Sequence, residues 1–526
     1  MKHNKLVLCA GITGFVVFVA GIALGWFGFP VIIRQEITSG VLLTNNSEAF
    51  ERWRKLPLPI QFKIYLFNVT NPDEVMNGAN PIVQEVGPYF YDQYREKYDI
   101  QDAGNNTLSY YENSTFFFNK DLSGEDLSED DVVTVLNVPL LGTALKVQEL
   151  YSMVLDMMNP VVKAIFIGSD SIFLKARVGD LLWDGLTVID CTRNVSSNIK
   201  SVCKLLPNQL PETVIQVSPG IFRFSLFGHK NNSNTGRYRV NSGISDMNAL
   251  GHIEEWNDES TISNWLGHTC NMINGTDSTI FPPFRTSKDT LYIFVPDVCR
   301  SLHADYVKDV KVEGVPALHY VASKYLLADP RQYAPNLCFC RGDEDDPPER
   351  WGCLKEGALD LFNCMGVPVV MTFPHFFNAS PDYAKYVEGL KPDAEKHQTF
   401  TDLEPNTGIP LRGAKRMQMN MFLTKIPEIT VLTNVSEGLF PVVWIEEGAE
   451  LGEVHLSKFR KFVFMLSFFE VLKWLVPAAG LILMCFAIYK CLTKRTKGGK
   501  VIDSNKVIVS YDNRGYVHRP EEIDAK

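Results

Sequence analysis

Two long apolar stretches, one near each end, constrain this chain more than any other feature. From Leu6 to Ile33, 28 positions carry no charged residue, more than the roughly 20 apolar residues a helix needs to cross a bilayer core. Lys2, His3 and Lys5 precede the run, as they would in a cleaved secretion signal, but such signals have apolar cores of only about 7–15 residues and a small-residue cleavage site. Here Trp26, Phe27, Phe29 and Pro30 follow, so the segment is expected to remain as an anchor. The second stretch runs from Phe462 to Tyr489, and its uncharged part is Trp474 to Tyr489. Glu470 and Lys473, spaced i, i+3, can pair near the outer interface. A buried core helix is the rival reading, but Lys490, Lys494, Arg495, Lys497 and Lys500 follow at once, which fits the cytoplasmic flank of a span. Lys458, Arg460 and Lys461 lie on the proposed outer side, against that rule; a long domain crosses largely regardless of its charge.

The expected organisation is therefore a cytosolic start at 1–5, a span at 6–33, an outer region at 34–461, a second span at 462–489 and a mixed-charge cytosolic tether at 490–526. Two properties of the outer region agree. Glycosylation sequons occur at Asn45, Asn68, Asn105, Asn113, Asn194, Asn231, Asn274, Asn378 and Asn434, all between the spans. Eight cysteines also lie there, Cys191, Cys203, Cys270, Cys299, Cys338, Cys340, Cys353 and Cys364, an even number suited to disulfides in an oxidising compartment. Zinc is the rival for Cys338-Phe339-Cys340, but the one-residue gap is shorter than the usual knuckle and no His-x-x-x-His follows. The net charge of −10 argues against nucleic acid, which needs clustered cations.

Most of the outer region reads as antiparallel β structure. Phe222, Phe224 and Leu226 alternate with Arg223 and Ser225, and Met417, Met419 and Met421 with Gln418 and Asn420, while Leu291–Val295 and Pro441–Ile445 are compact apolar runs. One stretch differs. Leu145 to Ile167 has helical spacing that Pro160 should break or kink, and Asp170 is placed to cap a second helix toward Leu182 and Trp183. Met153, Leu155, Met157, Val161 and Phe166 add apolar residues on further faces, which means either deep burial or a surface that meets something apolar.

The familiar enzyme motifs, the Gly-x-Ser-x-Gly elbow, phosphate-binding glycine loops and the His-Glu-x-x-His metal helix, do not occur. Binding is expected, not catalysis, and no cofactor or metal is implied. His375, flanked by aromatics, reads either as a pH-sensitive group or as a satisfied structural histidine. Arg341-Gly342-Asp343 spells an adhesion tripeptide within a polar, cysteine-bounded excursion. Gly21-x-x-x-Gly25 could let spans of two copies approach closely.

The order of motifs from Glu85 to Asn420 resembles the class B scavenger receptor family. The matching residues include Glu85-Val86-Gly87-Pro88-Tyr89, Leu181-Leu182-Trp183, Gly275-Thr276-Asp277, Phe281-Pro282-Pro283, Cys299-Arg300-Ser301, Cys338-Phe339-Cys340, Pro374-His375-Phe376, Glu404-Pro405-Asn406-Thr407-Gly408 and Gln418-Met419-Asn420. Asp297 to Tyr306 and Trp351 to Gly357 look most like the insect sensory neuron membrane proteins within it. The resemblance implies a mainly β fold with α: an antiparallel β-barrel ectodomain with an apical helical bundle at 145–183 and an internal tunnel. It implies disulfides Cys270–Cys338, Cys299–Cys364 and Cys340–Cys353, while Cys191 and Cys203, extra to that set and close in sequence, are expected to join each other. It further implies capture of lipophilic ligands, fatty-acid-derived ones such as pheromones, and their passage to membrane lipid or to a partner odorant receptor. The setting implied is the plasma membrane of an olfactory neuron, at its dendrite or cilium; the ending Glu522-Ile523-Asp524-Ala525-Lys526 lacks the acidic dileucine-type signal of the lysosomal member. Lipid or lipoprotein uptake is the alternative, and adhesion through Arg341-Gly342-Asp343 a third. One departure is the apical lysine of fatty-acid translocase, which has no counterpart at its position; Lys163 and Lys175 are the nearest candidates for the ligand entrance, and solvated surface charge is their plainer reading.

Overall fold

The computed structural model describes residues 2–193, 195–342 and 352–497. Asn194, Asp343 of the adhesion tripeptide, Trp351 and the tail from 498, Lys500 included, lie outside the described residues. The chain divides into two compact units, residues 34–463 and the pair of terminal segments up to Ile33 and from Phe464.

Among its described residues the larger unit has eighteen strands. They are β1 Ile60–Val69, β2 Val83–Gly104, β3 Thr107–Phe118, β4 Val132–Leu136, β5 Phe173–Arg177, β6 Leu186–Asp190, β7 Val214–Ser218, β8 Ile221–Phe224 and β9 Ser233–Asn241, then β10 Ile253–Trp256, β11 Leu291–Val295, β12 Arg300–Val312, β13 Val315–Ala322, β14 Ala358–Asp360, β15 Val370–Thr372, β16 Phe400–Leu403, β17 Pro410–Leu423 and β18 Gly438–Glu450. Eleven of them run side by side in the order β10-β9-β3-β2-β1-β18-β17-β16-β13-β12-β11, with β14 and β15 hung on β17. Neighbours pair antiparallel throughout. In β1 the period-two pattern of a half-buried strand is plain, with Phe62, Ile64 and Leu66 buried between Gln61, Lys63 and Tyr65.

The sheet curls until its two edge strands nearly meet. The segment Gly275–Thr276 stitches the gap: Gly275 O accepts from Ile253 N–H of β10, while Thr276 exchanges hydrogen bonds with Tyr292 and Phe294 of β11. The approach is so close that a Cβ on Gly275 would stand 2.0 Å from the Tyr292 carbonyl oxygen, which only glycine avoids. The fold is therefore a nearly closed antiparallel barrel, and closure removes the exposed edges that would invite mispairing.

A helical cluster interrupts the strands, with differences from the sequence pattern. Val138–Leu150 is helical and capped by Asn137, whose side chain accepts from Leu140 N–H at 3.3 Å. A 3-10 segment, Ser152–Met157, leads into a helix at Met158–Ile165. Pro160 does not break that helix but sits in its first turn, where backbone N–H groups have no intrahelical partner to lose. The second helix expected from Asp170 is absent. Phe173–Arg177 is instead strand β5, paired with β4 from Leu136↔Phe173 to Val132↔Arg177, because pairing with a neighbouring strand overrides a short helical periodicity. Only Asp180–Asp184 makes a turn of wide helix. Another helix, Ser197–Leu205, lies in the span tied by the Cys191–Cys203 bond. Burial of the cluster is split by face: Leu145, Leu155, Met158, Val161, Val162 and Ile165 are inside, whereas Leu150, Tyr151, Val154, Met157 and Met153 are exposed, Met153 by 97%.

Among the described residues, two helices are long and apolar enough to cross a membrane, and the terminal unit holds most of each. The first helical run extends from Lys2 to Val41 with a wider π segment at Ala23–Gly28, and the second is Glu453–Lys497. Within this unit they pack through small residues. A Cβ on Gly14 would lie 2.8 Å from Gly480 O, one on Gly21 2.9 Å from Val476, and one on Gly25 2.9 Å from Lys473 Cβ. The Gly21-x-x-x-Gly25 face is thus filled by the chain's own second helix. Lys473 pairs with Glu470 at 2.5 Å, and Trp26 packs edge-on against Trp474 at 4.9 Å.

Candidate functional site

Inside the larger unit the strands bound a cavity of about 370 Å³. Much of its wall is apolar: Phe62 of β1, Phe116 of β3, Phe294 of β11, Phe400 of β16, Met417 of β17 and Ile445 of β18, with Phe227 between strands. Phe62, Phe116, Met417 and Ile445 stand on one face of the sheet, so the alternation of the strands assembles that part of the lining.

One side of the interior is ionic. On β2, Arg95 and Lys97 are two residues apart and share a face. Arg95 lies 3.3 Å from Glu112 and 3.4 Å from Glu447; Lys97, only 2% exposed, lies 3.0 Å from both Glu112 and Asp277. Lys415 pairs with Glu447, directly opposite it across β17 and β18, and Lys230 lies 2.5 Å from Asp297. Four cations thus meet four carboxylates. Burial opposes ionisation of Asp297, but Lys230, with Lys415 and Arg95 beyond it, outweighs burial and holds its carboxyl well below the usual range. Burial, then Asp277 and Glu112, push the Tyr110 hydroxyl well above its ordinary value, so it stays protonated against Asp277.

The remaining cations on the cavity wall are also neutralised: Arg52 by Glu48, Arg412 by Asp402 and Arg416 by Glu446. Among the described residues, no lysine or arginine on the wall is left without a carboxylate. An anionic ligand would therefore have to compete with an existing partner, whereas an uncharged lipophile meets aromatic rings and a wall of compensated charge.

The two lysines named as candidates for a ligand entrance are on the surface. Lys163, in the Met158–Ile165 helix, and Lys175, in β5, are both exposed and neither lines the cavity. His375 is buried and satisfied. Its Nε2 faces Glu85 Oε2 at 2.5 Å, and its Nδ1 accepts from Lys391 N–H at 2.9 Å, which assigns the ring proton to Nε2. Glu85 also accepts from Trp444 Nε1 at 2.6 Å, and the His375 ring stacks on His397 at 4.4 Å. Arg341 of the adhesion tripeptide is held by Glu149 at 2.5 Å and Asp360 at 2.8 Å.

Four disulfides brace the larger unit: Cys191–Cys203, Cys270–Cys338, Cys299–Cys364 and Cys340–Cys353. Cys9, Cys485 and Cys491 are free. Of the described sequons, Asn45, Asn105, Asn231, Asn378 and Asn434 are exposed, and Asn68, Asn113 and Asn274 half-buried.

Comparison with known proteins places this architecture. The family model described as "CD36 family" matches residues 12–491. Sensory neuron membrane protein 2 of Manduca sexta is 36% identical over 492 residues, covering 92% of this chain and 93% of the relative. Sensory neuron membrane protein 1 of Apis mellifera is 36% identical over 483 residues, covering 91% and 89%, and sensory neuron membrane protein 2 of Drosophila melanogaster 32% identical over 551 residues, covering 93% and 98%. Matched along nearly its whole length, both apolar terminal helices and the barrel between them included, the chain belongs to the CD36 family, membrane receptors of the scavenger class.

Proposed function

We propose that this protein is a non-enzymatic cell-surface receptor or co-receptor of sensory cells, which takes lipophilic, fatty-acid-derived ligands such as pheromones into the barrel cavity and passes them to membrane lipid or to a partner odorant receptor. The observation that carries the reading is the cavity itself, with aromatic walls and no uncompensated cation among its described residues. The energetics favour such a conduit. Each methylene kept from water is worth about 0.8 kcal/mol, so a long hydrocarbon chain crossing an aqueous gap unaided faces a cost on the order of ten kcal/mol. The sensory names of the relatives favour detection over general lipid uptake, the second reading.

A blocked cavity is the direct test. Met417 lines it and shares the inward face of β17 with Lys415, opposite Ile445 of β18. Met417→Trp is expected to abolish the response of receptor-expressing cells to lipophilic odorants while surface staining of the protein is unchanged. An unaltered response with normal surface staining would remove the cavity from the mechanism.

A further inference from the structure

A second pocket, of about 330 Å³, lies beside the first and shares Ala322 and Phe373 with its wall. Its character is different. Phe373 and Phe377 line it together with Lys324, Glu356 and Gln398. Among the described residues, Glu356 and Gln398 have no side-chain hydrogen bond or ion pair, and the Lys324 ammonium contacts only the ring of Tyr325, at 4.9 Å. Lys324 and Glu356 are exposed at the mouth of the recess and Gln398 is half-buried, so the recess offers aromatic residues beside groups that can hydrogen-bond, the two surfaces a sugar presents.

The occupant is indicated by another residue on the same wall, Asn378, the acceptor of the sequon Asn378-Ala379-Ser380. This loop is fixed in place. Ser380 N–H donates to Glu356 O at 2.9 Å and Ala379 N–H to Phe376 O at 3.0 Å. Gly357 lets the loop lie flat against its neighbour, since a Cβ there would stand 2.2 Å from Ala379 Cα. Asn378 itself adopts a left-handed φ of 55°, which asparagine tolerates better than most residues. A group attached to it would start at the pocket's edge on a backbone held by these hydrogen bonds.

We propose that Asn378 carries an N-linked glycan whose first N-acetylglucosamine is seated in this pocket, its apolar ring face on Phe373 and Phe377 and its acetamide and hydroxyls on Lys324, Glu356 and Gln398. The inference rests on the reading that residues 34–461 face away from the cytosol. The attachment is that of any such sequon: the Asn378 side-chain nitrogen bonds to C1 of the sugar of a lipid-diphosphate oligosaccharide, the C1–oxygen bond breaks, the diphosphate leaves with the electron pair, and the nitrogen gives up one proton. Because the pocket shares Phe373 with the ligand cavity, the seated sugar braces that wall from behind.

The test uses full-length protein from a eukaryotic host, treated in its native state with peptide N-glycosidase and followed by glycopeptide mass spectrometry. Asn45 and Asn105 are exposed and line neither cavity, so they serve as internal references. The glycan on Asn378 is expected to be released roughly tenfold or more slowly than theirs, as for a site that must open first, and at the same rate once the protein is denatured. Phe377→Ala, or Gln398→Ala where the former folds poorly, should bring the native rate up to that of the references. Equal native rates at Asn378 and Asn105 in the unmutated protein would overturn the proposal. So would an unmodified Asn378 beside occupied Asn45 and Asn105, an outcome that leaves the orientation intact; if no sequon is occupied, the orientation itself fails and the proposal with it.

Discussion

Glu447 anchors the ionic side of the cavity, since it answers both Arg95 and Lys415. Replacing it by glutamine leaves the four cations one counter-charge short, since Arg95 keeps Glu112 but Lys415 loses its partner, at a cost of at most about 3–5 kcal/mol for a pair only partly buried. A ligand carboxylate can restore the missing charge. Glu447→Gln is therefore expected to lower the thermal midpoint and to raise the affinity for a long-chain fatty acid relative to its methyl ester, measured by paired fluorescence titrations; an unchanged acid-to-ester ratio would show that these charges do not face the ligand. His397 makes a pH prediction. Burial, and then His375 stacked on it, hold its imidazole down at about 4, against the opposing pull of Glu85 and Asp393 and with Arg416 adding to the depression. Burial and Lys230 likewise hold His229 at about 4. An unfolded histidine takes up its proton near pH 6.5, so between pH 6.5 and 4 the unfolded state binds more protons and stability falls as the pH drops. Melting curves of the solubilised protein from pH 7 to 5 should shift downward, and His397→Asn should flatten the slope. The ion cluster was the part of the site least legible in the sequence. Tyr94-Arg95-Glu96-Lys97-Tyr98 reads as a polar strand face, yet Tyr94 and Tyr98 are exposed and Lys97 is buried. A single strand does not reveal which of its faces is inner when the inner face carries charges that are paid back by carboxylates far away in the chain.

At the scale of elements, strands bounded by turn residues were legible and their faces were not. Leu291–Val295 forms β11 as its compact apolar run suggests. In β17 the alternation of Met417, Met419 and Met421 marks a strand, but Gln418 and Asn420 between them are fully buried. Both amides are satisfied there: Gln418 Oε1 accepts from His375 N–H at 2.8 Å, and Asn420 Nδ2 donates to Val370 O and Thr372 Oγ1. The covering segment, β15 with His375, comes from a distant part of the sequence, which no period-two pattern can announce. The helix expected from Asp170 failed for the same reason, since its partner β4 lies some 40 residues earlier. The terminal helices give the prediction at this scale. Cβ atoms joined by a disulfide lie about 3.5–4.5 Å apart, and a Cβ on Gly11 would lie 3.4 Å from Ala487 Cβ. With the native free cysteines changed to serine, Gly11→Cys with Ala487→Cys should crosslink within one chain. Adding Gly14→Leu, whose side chain has no room beside Gly480, should abolish the crosslink; a crosslinked dimer instead would assign the glycine face to a second copy.

For the whole molecule, the proposed orientation puts both ends in the cytosol and the barrel outside. Epitope tags at the two ends should be reached by antibody only after permeabilisation, while an antibody to the barrel should bind intact cells; staining of either end on intact cells would overturn that arrangement. The mainly β character, the helical interruption and the two long apolar helices followed from hydrophobic patterning, whereas barrel closure did not, because it depends on the stitch at Gly275–Thr276 between strands distant in the chain. The balance of the buried ions has an effect that reaches beyond the barrel. Four cations matched by four carboxylates project almost no field into the surrounding solution, so this cluster neither steers nor repels an approaching solute. On the proposed function, the arrival of a lipophile at this cluster is left to diffusion and to the shedding of its hydration shell, and ionic strength has little purchase on that step.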